Sequence, residues 1–236
     1  MVRGPLLLER AYKGVRRHLL HSKALPGHKL SRHQLAKELD VSLSCIRVAL
    51  DRLEGEGLVE SLPQSGTRLR EVDAQEYLEL HDLRELMECY AVRRAAQWIT
   101  PAQIKVLDKA CGDFELAVAA CEASVAETVP QQIIAKAMKA EHEFHGTIMR
   151  AARNANAVRV VENFRLITQM AYYASILPRA VHVVGWRQGA VEHRAIARAL
   201  ANRDADAAEH FMREHMGHGR MLAPESRTER RTRNPR

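Results

Sequence analysis

The chain has 236 residues, 46% hydrophobic and 28% charged, with 36 Lys+Arg against 29 Asp+Glu and a formal net charge of +7. That length suits one large or two small domains with real cores, and that composition excludes long disorder except at the ends. No apolar run approaches the roughly 20 residues of a membrane helix, Met1–Pro5 carries no secretory leader pattern, and Cys45, Cys89, Cys111 and Cys121 form no CxxC pair, so a cytoplasmic protein with reduced thiols is expected.

The positive charge is local. Residues 1–70 hold 13 Lys+Arg against 7 Asp+Glu, a net +6, while residues 71–224 are −2 and residues 225–236 are +3. A basic domain joined to a slightly acidic one points to a polyanion binder attached to something else. Leu6–His21 has helical apolar spacing and Ala24-Leu25-Pro26-Gly27 stops it. Ser31 is an N-cap with Gln34 three residues on, a capping-box pattern, for a short helix Arg32–Leu39. Asp40-Val41-Ser42 turns the chain, and Ser42 caps a second helix, Leu43–Glu56, with Ile46, Ala49, Leu50 and Leu53 inward. Leu58–Leu62 alternates like a strand, Pro63-Gln64-Ser65-Gly66 turns, and Thr67–Arg70 returns.

Helix, short helix, tight turn, helix and hairpin make a winged helix-turn-helix. The second helix of such a pair enters the DNA major groove with its N-terminal residues on base edges. Here those residues are Ser42, Leu43, Ser44, Cys45 and Arg47. Arg47 suits a bidentate guanine contact or a phosphate clamp, and the wing tip Ser65-Gly66-Thr67 can approach the backbone closely at Gly66. Pro26-Gly27-His28-Lys29-Leu30-Ser31, Leu35–Ser42, Ile46–Leu53 and Gly57-Leu58-Val59 through Gly66-Thr67 together resemble the DNA-binding domain of GntR-family bacterial regulators. The resemblance implies DNA contacts at His33 and Leu43, where many members carry Arg, and leaves Arg32 as the neighbouring cation that can compensate.

Beyond residue 70 the chain reads as helix: Ala74–Trp98 with Tyr77, Leu80, Leu83, Leu86, Met87, Tyr90, Ala91 and Ala95 inward, then Ala102–Ala123, Pro130–Ala152, Ala155–Leu177, Gly185–Asn202 and Ala205–Met221, with Thr100-Pro101 capping the second. The expected fold is mainly α, a winged helix-turn-helix followed by an antiparallel all-α bundle of about six helices. The expected domains are 1–72, DNA binding; 73–223, metal and effector binding and dimerisation; and 224–236, a disordered basic tail.

Histidine placement carries the chemistry of the bundle. Glu141 and His145 lie four apart on one helix face. His193 and His215 stand on the last two helices, ten and eleven residues from a turn at Arg203–Asp204, so an antiparallel hairpin puts them at one height. One carboxylate and three imidazoles would suit Zn²⁺, Ni²⁺ or Mn²⁺, with Zn²⁺ preferred, and leave positions for water or a ligand carboxylate. His142 points about 100° away from His145's partner face. His182, His210 and His218 are expected on the surface or in turns.

Glu141-His142-Glu143-Phe144-His145 with Asn154, Glu192-His193-Arg194-Ala195-Ile196 with Ala208 and His215, and Arg84 with Glu88 resemble the motifs of the FadR-type C-terminal ligand domain, the FCD branch of the same family. That resemblance implies metal ligation by Glu141, His145, His193 and His215, with Glu in place of the usual Asp. It also implies an organic acid beside the metal, held by Arg84, although Arg84 also has Glu88 at salt-bridge spacing. The expected protein is a cytoplasmic, nucleoid-associated homodimeric regulator of a near-palindromic double-stranded operator, not an enzyme and not membrane-bound, and a repressor by family habit. The rival readings are a regulator for which the ion itself is the signal and a metal-dependent hydrolase.

Overall fold

The computed structural model describes residues 3–21, 27–174 and 179–220. The expected stop at residues 24–26 and the tail at 224–236 lie outside the described residues. Two units are distinguished: Met1–Asp73 with Leu166–Ala174, and Ala74–Arg165 with Ser175–Arg236.

The first unit holds α1 (Arg3–His21), α2 (Arg32–Leu39), α3 (Leu43–Gly55), β1 (Val59–Leu62) and β2 (Gly66–Leu69). Ala11, Val15 and Leu19 of α1 meet Leu35 of α2 and Ile46, Ala49, Leu50 and Leu53 of α3 in a core that excludes water from all three helices. Ser31 Oγ accepts from Gln34 N at 3.2 Å and Ser42 Oγ from Cys45 N at 3.2 Å, so both caps form. The reciprocal half of the expected box at Ser31 does not: the Gln34 side chain donates forward to Glu38 Oε1 at 2.8 Å. In the box the Gln side-chain oxygen would accept from the Ser31 N–H, but donating its amide to a carboxylate one turn on is charge-assisted and draws the exposed side chain forward.

β1 and β2 pair antiparallel, Val59 with Leu69 and Leu62 with Gly66. The hairpin gains an edge the periodicity did not show. Gly27 N donates to Leu69 O (2.8 Å), Leu69 N to His28 O (3.0 Å) and Leu30 N to Thr67 O (2.9 Å), and Lys29 bridges Arg68. Gly27 holds φ +81°, a left-handed conformation that strains residues with a Cβ and that glycine adopts freely, which favours glycine at this entry to the wing.

The second unit holds α4 (Ala74–Trp98), α5 (Pro101–Ala123), α6 (Gln131–Ala151), α7 (Ala155–Ala174, of which residues 155–165 belong here), α8 (Arg179–Ala201) and α9 (Ala205–Arg220). α5 packs on α6 and α8, α4 on α6 and α9, and α8 on α9. Phe144, Ile148, Leu107, Ile196, Leu200 and Met212 fill the centre. Thr100 closes a full capping box with Gln103, ahead of Pro101 at the first helical position. Thr100→Ala removes one partner of that box, so we expect a loss of about 1 kcal/mol, read as a lowered urea midpoint with unchanged slope.

Two expectations are corrected here. α4 buries Tyr77, Ala91 and Ala95 as expected, but its inward stripe continues through His81, Glu88, Cys89 and Val92, while Leu83, Leu86 and Tyr90 are 46, 64 and 44% exposed. Counting apolar residues misplaced the stripe because two of its inward positions are His and Glu. His182, expected at the surface, is buried in α8 with its ring 5.3 Å from Trp186. α8 begins at Arg179, six residues before the expected start at Gly185, so a position read as turn is helix interior.

Candidate metal centre and DNA interface

Glu141 and His145 project from α6, His193 from α8 and His215 from α9. Each offers one ligand atom to a group whose members lie within 4.8 Å of one another. His145 Nε2 is 3.2 Å from His215 Nε2 and 3.1 Å from Glu141 Oε1. His193 Nε2 is 3.1 Å from Glu141 Oε2 but not aligned for a hydrogen bond, and Glu141 Oε1 is 3.6 Å from His215 Nε2. The three rings crowd together, His193 and His215 with centroids 4.7 Å apart. The turn at residues 202–204, closed by Arg203 at φ +57°, sets the hairpin that puts these two at one height.

The donor set fits a divalent cation. Donors held at roughly 2.1 Å from one ion sit about 3.0 to 3.4 Å apart in octahedral or tetrahedral shells; the 3.1, 3.2 and 3.1 Å contacts here have that spacing, in a group that spans up to 4.8 Å. Packing three imidazole nitrogens at that spacing without a shared partner would leave buried polar atoms unsatisfied, and His193 Nδ1 and Nε2 make no hydrogen bond.

Carboxylates behind the rings decide which nitrogen faces inward. Glu88 Oε2 bonds His145 Nδ1 from α4, and Glu192 Oε2 bonds His215 Nδ1 at 3.0 Å from α8. Each leaves Nε2 pointing into the group, the arrangement that orients a ligating histidine and raises its basicity. Glu192 Oε1 also accepts from Gln188 Nε2 at 2.8 Å and meets His218 Nδ1 at 2.5 Å. His218 is thus half-exposed but tied to the site, where a plain surface residue was expected.

Burial works against charge here, and the neighbours decide each outcome. Glu88 and Glu141 are held well below the usual carboxylate range: desolvation opposes this, but His145 and Arg84 outweigh it at Glu88, and His193 and His145 at Glu141. Burial pushes His193 down to about 4 despite Glu141. At His215 burial also disfavours the proton, but hydrogen bonds to Glu141 and Glu192 prevail and raise it to about 9.

Arg84 donates Nε and Nη2 to Glu88 Oε1 at 3.1 and 3.0 Å, its side chain 12% exposed. The salt-bridge spacing is therefore used, in a buried setting. Arg165 of α7, which the sequence reading passed over, donates Nη2 to the Glu141 carbonyl at 3.1 Å and lies within electrostatic reach of Glu88 and Arg84. Its only sequence signal is a cation among the apolar residues of a helix. Asn154 caps α7, its Oδ1 accepting from Ala157 N at 3.1 Å, and donates to Tyr90 Oη at 3.2 Å.

In the first unit, Ser42, Leu43, Ser44 and Arg47 are exposed at the N-terminal half of α3, with Cys45 half-buried. Ser42 Oγ lies 2.8 Å from Ser44 Oγ while it caps the helix. Arg32, His33 and Ser65 are exposed, and Gly66 stands at φ +85°. Thr67 departs from the expected wing-tip contact. Its side chain is 1% exposed and accepts from Arg32 Nη2 at 3.1 Å, because strand alternation turns it to the interior. Arg32 is thereby tied to the wing.

Comparison with known proteins gives two family matches: "Bacterial regulatory proteins, gntR family" over residues 7–69 and "FCD domain" over residues 79–218. The HTH-type transcriptional repressor RspR of Escherichia coli K12 is 24% identical over 208 residues, covering 88% of this chain and 85% of its own length. The Nta operon transcriptional regulator of Aminobacter aminovorans is 29% identical over 192 residues, covering 81% and 82%. Among solved structures, E. coli McbR/YncC superimposes with a TM-score of 0.76 at 18% identity over 94% of this chain and 98% of that one. A GntR transcriptional regulator from Rhodococcus sp. RHA1 gives 0.71 at 17% over 92% and 96%. Among the described residues no helix is long and apolar enough to cross a membrane.

Proposed function

Because the chain belongs to the GntR family of bacterial regulatory proteins, with an FCD domain behind its DNA-binding domain, and is a transcriptional regulator, we propose that a small carboxylate bound at a divalent metal controls its affinity for an operator. The observation that carries this is the convergence of Glu141, His145, His193 and His215 from three helices, their ligand atoms within 4.8 Å of one another. In this reading residues 1–72 bind a near-palindromic operator as half of a homodimer, and residues 73–223 hold metal and effector. A bound divalent ion supplies positive charge and open coordination positions for an acid.

The chain's own residues do the rest. Glu88 and Glu192 fix the two ring orientations, and Arg84 and Arg165 set cationic donors beside the group for the acid's carboxylate. Two recognition helices must stand about 34 Å apart to read successive major grooves, so a small rotation within the dimer changes affinity. Effector binding shifts that population only to the extent that it favours one arrangement over the other.

Elemental analysis of the purified protein, with operator titrations in metal alone and in metal plus a panel of small carboxylates, tests the reading. One metal per chain and an acid-dependent shift in operator affinity support it. A switch driven by metal alone, indifferent to every acid, assigns the signal to the ion instead. Steady hydrolysis of carboxylate esters by the loaded protein would favour the hydrolase.

Glu88→Gln tests the carboxylate behind His145. The neutral amide keeps the shape but loses the charge that holds the ring, so metal affinity should fall 10- to 100-fold in a chelator competition with helicity unchanged. Equal affinity would show that Glu88 merely pairs with Arg84.

A further inference from the structure

The exposed face of α3 carries two large aliphatic side chains that its core does not use. Ile46, Ala49, Leu50 and Leu53 point inward, and Leu43, Ser44, Arg47 and Val48 share the opposite arc of the helix. Leu43 is 44% exposed and Val48 45%. Leu43 is the first residue of the helix, at the end that meets base edges, and Arg47 stands one turn on, between the two apolar groups in sequence. On the same helix stand the exposed Ser44 and Arg47, with Ser42 at its cap and the exposed Asp51 one turn beyond Arg47, in a domain of net charge +6 that also exposes Arg32 and His33 on α2. Such a rim suits phosphates rather than the apolar face of another protein. Unmodified DNA has one apolar group in the major groove, the C5-methyl of thymine; the other bases present donors and acceptors there.

We infer that Leu43 and Val48 read thymine C5-methyl groups, so that this protein selects A·T pairs at positions where an arginine would select guanine. The inference rests on α3 entering a major groove. Arg47 then anchors a neighbouring base or phosphate, and apolar contact on either side of it specifies thymine. Leu43 and Ala49 thus have different tasks on one helix: the first is exposed for the groove, the second is buried for the core.

The test uses the full-length protein and an operator selected from a randomised, unmodified duplex library. Each thymine of the selected operator is replaced in turn by deoxyuridine, which deletes only the methyl group. Wild type should lose about fourfold in affinity at a contacted thymine, the worth of one buried methyl. Leu43→Ala should be indifferent to uracil at one such position and Val48→Ala at another, with unchanged melting because both side chains are exposed. Uracil tolerated by wild type at every position overturns the inference while leaving operator binding intact. Full uracil sensitivity retained in both variants does the same. Enrichment only from a cytosine-methylated library transfers the contact to 5-methylcytosine and overturns the thymine assignment. A selection that enriches nothing overturns the DNA reading, and this inference with it.

Discussion

His193→Ala should yield protein that purifies with little or no divalent metal and no longer responds to a carboxylate effector. The side chain is 1% exposed and lies between two aromatic rings, its own ring centroid 4.2 Å from Phe144 and 5.0 Å from Phe114. Neither ring offers it a hydrogen-bond partner; Nδ1 has none, and Nε2 has only an unaligned 3.1 Å contact with Glu141 Oε2. A buried imidazole so poorly satisfied costs stability, which an ion would recover by taking up its lone pair. Removing a carboxylate behind a ligand weakens metal binding 10- to 100-fold, and deleting a ligand outright should exceed about 100-fold. Chelation provides a second readout: wild type at about 100 times its Kd in metal should lose roughly 2.7 kcal/mol when the metal is stripped, and the variant nothing. Specific operator binding without effector should survive, since the substitution lies outside the DNA-contacting unit. Unchanged metal stoichiometry would refute the cluster. Because a cavity beside Phe144 could itself destabilise the bundle, His193→Gln, which fills more of the space with a weaker donor, should show the same metal loss with a smaller change in melting.

Arg47→Ala should abolish preference for the operator while leaving general DNA affinity in place. Arg47 is exposed on the same arc of α3 as Leu43, and its guanidinium is the long cationic donor on the N-terminal half of that helix. A bidentate base contact is worth about 1–3 kcal/mol, or roughly 5- to 150-fold for each half-site. A phosphate contact behaves differently: its loss weakens all sequences alike and lowers the salt slope by about one. Titrating operator and scrambled duplex at several salt concentrations separates the two. Loss of operator binding with little change in the salt slope assigns a base contact. A uniform loss with a shallower slope assigns a phosphate clamp. No change in either would remove Arg47 from the interface. The fold should be unaffected, because the α3 core is made by Ile46, Ala49, Leu50 and Leu53 on the other side.

The winged domain was legible almost residue by residue because its signals are local. Ser31 and Ser42 cap within three residues, α3 buries its stripe at helical spacing, and the wing alternates at strand spacing. What escaped there was nonlocal: residues 27–30 pair along β2, and Thr67 turns inward to Arg32. In the bundle, Glu141 and His145 were readable because one helix sets their spacing. His193 and His215 were readable because a short turn fixes their common height. Glu88 and Glu192 were not readable as ring-orienting groups. Each bonds a histidine on another helix, 57 and 23 residues away, and no periodicity within one helix encodes that contact.

By itself, then, the sequence determined the fold class and the four candidate ligands, which follow from caps, periods and spacings within a turn or a hairpin, while the family came from the resemblance of its motifs. Tertiary structure alone decided that His81 and Glu88 of α4 are buried, which nitrogen of His145 and His215 points inward, and that Arg165 reaches the group. The physical reason is common to all three. An inward polar residue reads as an outward one until its partner on a neighbouring helix is known, and its burial is favourable only because that partner is there.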